Sequence, residues 1–195
     1  MNFFASLLLF ALIATASPGG ATTLATISGA NFGFRQSLPL IAGIAIGLAS
    51  MAALAGFGLA GLLLALPALA LAMKILGSAY LLWLAWQTAR RGAPQINGSA
   101  KPIGFIAGAW MLWHNPKGWA MTTGAAAAFV ALTSSPAQLG ALLGTVFGVF
   151  AFASLSLWCA AGLMLARVMR SDRQWRLLNS TLGVLLALSV VPVWL

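Results

Sequence analysis

The chain has 195 residues, of which 62% are hydrophobic and only 6% charged, with a mean hydropathy of +1.00. A water-soluble domain covers its surface with roughly a quarter charged residues, so this composition places the chain in a lipid bilayer. Ten Lys and Arg stand against one acid, Asp172, and the net charge of +9 sits between apolar segments, where it sets membrane orientation and excludes nucleic-acid binding. Cys159 is alone, which excludes an internal disulfide, a cysteine metal cluster and a dithiol redox pair; it is expected in the core.

The segment Phe3 to Ala16 is apolar and ends on small residues, as a signal peptide would. The first basic residue is Arg35, however, so the positive start of a signal is missing and the segment is taken as the beginning of the first span. The run from Ser37 to Ala89, interrupted only by Lys74, measures near 78 Å at about 1.5 Å per residue, enough for two crossings of a ~30 Å core. Pro67 is its natural turn. The chain divides into six spans, at about 3–27, 38–64, 69–89, 103–132, 137–165 and 177–195. Lys74 lies inside span three and is expected to snorkel outward. Asp172 falls in the loop before span six.

Orientation is set by the basic residues. Arg35 lies after span one; Arg90, Arg91 and Lys101 after span three; Arg167, Arg170, Arg173 and Arg176 after span five. The positive-inside rule puts these three loops in the cytoplasm and both termini outside. Trp83, Trp86 and Trp175 fit an aromatic belt on the cytoplasmic side. Each half then holds three spans, and an odd number inverts the second half against the first. The fold expected is all-α and integral to the membrane. It is one transmembrane domain over 1–195, with repeat halves at about 1–97 and 98–195 and a linker at Arg91 to Pro102. Gly43-x-x-x-Gly47 and Gly140-x-x-x-Gly144, at comparable places in spans two and five, permit close helix contact.

Spans one and four are each interrupted by a polar, proline-containing break, Ser17-Pro18-Gly19-Gly20 and Asn115-Pro116-Lys117-Gly118. Prolines of this kind either kink a continuous helix or split it into half-helices. Matched breaks in two halves favour splitting, and point to a transporter's midplane binding site. Ser17 and Asn115 are expected as N-caps, with Pro18 and Pro116 at the first helical position. Gly19 and Gly20 leave the backbone open to a ligand. Each half-helix would present unpaired N–H groups and partial positive charge, which suits a carboxylate. Lys117 adds a full charge, and His114, the single imidazole, is either a proton carrier or a packing residue. Asn31, Tyr80 and the Trp residues 110, 113 and 119 are candidate polar or π groups for the cavity, or packing residues.

In their order and spacing these residues resemble the LysE/RhtB family of small amino-acid exporters. The resemblance runs over nearly the whole chain: Ser17-Pro18-Gly19, then Gly29, Gly33, Arg35, Gly43 and Gly47, then Lys74-x-x-Gly77-x-x-Tyr80-Leu81 and Arg90, then Phe105-x-x-Gly108 and Asn115-Pro116-Lys117. It implies an inner-membrane exporter of amino acids or related metabolites, working by proton antiport. The family's first break usually reads Pro-Gly-Pro followed by Asn or Asp; here Gly20 and Ala21 take those places, which removes a polar contact. With Asp172 outside the spans, no membrane carboxylate can relay protons, so coupling is left to His114, the substrate or water.

The function expected is export of a small zwitterionic or anionic metabolite, most simply a neutral amino acid, with a small metal ion or another metabolite as the alternative cargo. A cation site wants carboxylates, thiolates or several His, and the spans offer one His and one Cys. An enzyme would need a nucleophile–base set, and His114 has no acid partner within the spans. No cofactor or metal is expected. The partners are the substrate and the lipid bilayer; homo-oligomerisation stays open.

Overall fold

A computed structural model describes residues 3–59, 102–168 and 171–188, together with positions 71, 75, 79, 82, 83, 85, 86, 89 and 90. The turn at Pro67, Lys74, Gly77, Tyr80, Leu81 and most of span three, Arg91 and most of the linker lie outside the described residues, as does the end of span six. Among the described residues the structure is all-helical: α1 Phe3–Ala16, α2 Gly20–Leu54 continued by a π-turn Ala55–Leu59, α3 Phe105–Trp113, α4 Pro116–Ala128, a 3-10 turn Val130–Leu132, α5 Pro136–Val168 and α6 Asp172–Leu188. The stretches Gly20–Gly58 and Pro136–Val168 are long and apolar enough to cross a membrane.

Two departures from the expected spans have local causes. The loop expected around residues 28–37 is a single-residue bend. Gly33 has φ 77° and ψ 174°, a conformation that residues with a Cβ essentially do not adopt, and α2 is helical on both sides of it. The bend brings the Ser28 hydroxyl within 2.7 Å of the Ser37 hydroxyl, nine positions away; in a straight helix such residues stand about 13 Å apart along the axis. Arg35 consequently lies in the first turn of the second arm. Asp172, expected in a loop, is the first residue of α6, where a carboxylate complements the helix dipole. Ser171 and Gln174 hold that helix start by reciprocal bonds: the Ser171 N–H donates to Gln174 Oε1 at 3.2 Å and the Gln174 N–H to Ser171 Oγ at 3.3 Å.

Small residues draw the helices together. Gly43 and Gly47 face α3, where an added Cβ would collide with the Phe105 carbonyl and press on Ala109. Gly140 and Gly144 face α2, against Ala53 and Ala49. Both small-residue pairs read from the sequence are therefore close helix contacts. Gly29 against Cys159, and Gly162 against Thr26, are closer still, and Cys159 is fully buried in the core.

These contacts fix direction. Phe10 meets Phe147 and Thr15 meets Ser154, so α1 runs with α5. Gly43 meets Phe105 and Ser50 meets Trp113, so the second arm of α2 runs with α3 and, through Ala53 against Gly140, opposite to α5. The core centres on Leu7, Leu40, Ile41, Ile44, Met51, Leu143 and Phe147, while Ile106, Trp110, Leu157 and Met164 stand exposed, as on a lipid-facing surface.

Candidate functional site

Both sequence breaks are true interruptions of helix, and they meet. The second is built as expected: Asn115 is the N-cap of α4, its Oδ1 accepts the Lys117 N–H at 3.0 Å, and Pro116 is the first helical residue. The first is built differently. Ser17 is not a cap of the following helix; it closes the end of α1, its N–H bonded to the Ile13 carbonyl and its hydroxyl to the Ala14 carbonyl. Pro18 is not the first helical residue either, because Gly19 is extended, with φ 179° and ψ −173°, and α2 starts at Gly20. Gly19, with its poor helix propensity, stays out of the helix, whose start slides past it to Gly20. The cap is supplied from within α2. Thr22 Oγ1 accepts the Gly19 N–H at 2.8 Å and donates to the Gly19 carbonyl at 2.9 Å.

Lys117 joins the two breaks. Its ammonium donates to Ser17 Oγ at 2.7 Å, to the Ser17 carbonyl at 3.0 Å and to the Pro18 carbonyl at 3.3 Å. An ammonium has three donors, and all three are used. The charge sits at the C-terminal end of α1, where the helix dipole favours a cation. Gly19 makes room for it, since a Cβ there would lie 3.3 Å from Lys117 Nζ.

Beside this junction lies a cavity of about 40 Å³. Part of its lining is polar or open-backboned, from Ser17, Gly19, Gly20, Thr22, Asn115 and Lys117. The rest is largely apolar, with Ile44, Leu48, Leu112, Met121, Ala151 and Leu155. By volume it holds a few water molecules, so an amino acid needs the walls to part. Ala151 and Leu155 flank the middle of the 33-residue α5, so the cavity lies level with the centre of that helix. A larger cavity of about 410 Å³ lies toward the other end of α4, between the π-turn at Gly56 and Gly58, Ala126, Ala127, Val130 and Thr133–Pro136.

Of the residues proposed from sequence, Ser17, Gly19, Gly20, Asn115 and Lys117 line the smaller cavity. Pro18 contributes its carbonyl to Lys117, and Pro116 is buried as the first residue of α4. Asn31 is exposed, its side chain donating to the Ile27 carbonyl at 2.7 Å. His114 is also exposed, 4.5 Å from the Trp110 ring and with Nδ1 2.9 Å from the Trp110 carbonyl; neither it nor Asn31 reaches the cavity. Tyr80 lies outside the described residues. Trp113 and Trp119 pack edge to face, and their ring nitrogens bond Ser50 Oγ and the Trp113 carbonyl, a structural role. Sequence reasoning missed Thr22, Gly118 and Met121. For Thr22 the signal was a Thr three positions after Gly19; for Met121 it was helical spacing from Lys117. Among the described residues no cluster of His, Cys, Asp or Glu could hold a metal ion.

The profile of the LysE type translocator family matches residues 12–191. A protein of Salmonella typhimurium (strain LT2) called "Cysteine/O-acetylserine efflux protein" is 37% identical over 97 residues, 49% of each chain. A protein of Escherichia coli (strain K12) with the same name is 30% identical over 193 residues, 95% of this chain and 94% of the other. The chain thus spans about half the length of the Salmonella relatives it matches and nearly all of the Escherichia coli ones. No solved structure matches.

Proposed function

The chain belongs to the LysE type translocator family, and from that premise we propose that it exports small neutral amino acids or closely related metabolites across the bacterial inner membrane. The observation that carries this reading is the cavity at the meeting of the breaks, lined by both polar and apolar residues. Its polar lining offers the N–H groups at the start of α2 and Gly118 at the start of α4, which have no partners within their helices and favour an anion. A substrate carboxylate would sit there with Lys117 beside it. The apolar lining suits a short uncharged side chain, in keeping with relatives named for cysteine and O-acetylserine. The substrate ammonium has no acid to meet, since Asp172 is the single acid of the chain, and would use backbone carbonyls or Asn115.

In the same reading the halves 1–97 and 98–195 form an inverted repeat of three spans each, with both termini periplasmic. Export proceeds by rocking one half against the other around the cavity. Protons enter in exchange, carried by the substrate or water, because His114 stands away from the cavity.

The test is an efflux screen. Cells loaded with individual amino acids and O-acetylated derivatives should lose a small neutral compound faster when they produce the protein. No acceleration across the panel would sink the reading, and accelerated loss of a metal ion instead would establish the other cargo. Lys117→Ala should abolish the efflux while the protein stays in the membrane; undiminished efflux from this variant removes Lys117 from the site.

A further inference from the structure

Taken with the proposed export function, the arrangement of Lys117 leads to a second step. We propose that α4 is a gate leaf between the central cavity and the 410 Å³ cavity beyond it, latched shut by Lys117, and that the substrate carboxylate opens it by drawing the ammonium off α1.

Three observations converge on this. First, α4 reaches both cavities: its start lines the smaller one through Lys117, Gly118 and Met121, and its end lines the larger one through Ala126 and Ala127. Second, most side chains of α4 are small: its sequence, PKGWAMTTGAAAA, is largely Gly, Ala and Thr, with Trp119 and Met121 its large contacts to the core. Small side chains bury little apolar area, so a few polar ties weigh heavily in its position. Third, the strongest of those ties reaches 100 positions along the chain: the ammonium directs every donor to Ser17 and Pro18.

The chemistry makes the latch responsive. The Ser17 and Pro18 oxygens are neutral acceptors, whereas a carboxylate at the adjacent helix starts carries a full charge and competes better for the same ammonium. An empty transporter therefore keeps α4 tied to α1, and a loaded one releases it. Lys117 is in this role a positioning residue as well as a ligand, and its effect is readable without any substrate.

The experiment uses the full chain in lipid nanodiscs, with Ala126→Cys as reporter in a Cys159→Ala background and a water-soluble maleimide as label. Ala126 is buried in the closed arrangement, so labelling reports opening. Without ligand, Lys117→Met should label roughly tenfold faster than the parent with its latch intact, and Ser17→Ala, which leaves two carbonyl acceptors, roughly threefold faster. Labelling of both variants at the parent rate overturns the latch. Should Lys117→Met fail to fold, Ser17→Ala decides alone. Saturating O-acetylserine should speed the parent and leave Lys117→Met unmoved. In a protein shown to export O-acetylserine, an unmoved parent overturns release by substrate. A protein that exports another small neutral compound is tested with that compound instead; one that exports none fails the functional reading, and the ligand-free arm still decides the latch.

Discussion

The two breaks carry nearly the same punctuation, a polar residue before a proline, yet the chain resolves them in opposite ways. After Pro116 comes Lys117, a good helix former, and α4 begins at once with Asn115 as its own cap. After Pro18 come two glycines; the chain stays extended through Gly19, and α2 is capped by Thr22 from inside the helix. The first break is thus incomplete by itself. The end of α1 is finished by a lysine from the other half of the chain. A cap is therefore selected by the residues C-terminal to the proline as much as by the polar residue N-terminal to it.

The contrast is most vulnerable at Thr22. Its hydroxyl is fully engaged with Gly19 and buried. Thr22→Val keeps the shape and leaves the Gly19 N–H without that partner, an expected loss of about 1–3 kcal/mol. Unfolding of the purified protein in detergent measures it; a change within error would mean that water satisfies Gly19 and that Thr22 is no cap. At the second break, Asn115→Ala should cost about 1 kcal/mol and Asn115→Asp should recover most of it, because either side chain accepts the Lys117 N–H. Equal losses for Ala and Asp would show that Asn115 acts by something other than capping.

The same residues separate the legible parts of the molecule from the hidden ones. Pro18 and Pro116 announce the breaks because proline removes a donor and clashes with the preceding turn, a local effect that any sequence shows. The small-residue pairs were legible for a similar reason, since their spacing itself creates the flat face that another backbone approaches. Between spans one and two the letters suggest a loop, since nothing in them says that Gly33 will take φ 77° and redirect the helix alone. The bond from Lys117 to Ser17 joins residues 100 positions apart, and no local rule reaches that far. Asn31 and His114 were attractive by residue type, but a sequence of near-uniform hydropathy does not reveal which face of a helix turns inward.

His114 carries the smallest expected effect, and it tests how far the second break extends. It is the immediate neighbour of the Asn115 cap, yet its ring packs tilted against Trp110 and does not line the cavity, whereas Lys117, two positions beyond the cap, reaches across to α1. Its bond runs to the Trp110 carbonyl one turn back, a tie that Gln can replace in part. His114→Gln should therefore change stability by no more than about 0.5 kcal/mol, as for a surface position, and should leave the pH profile of efflux superimposable on that of the parent. A profile that shifts or flattens would bring His114 into the proton path and require the turn between α3 and α4 to rotate during the cycle. An unchanged profile leaves His114 out of the proton path, and leaves the second break's part of the site to Asn115, Lys117 and Gly118.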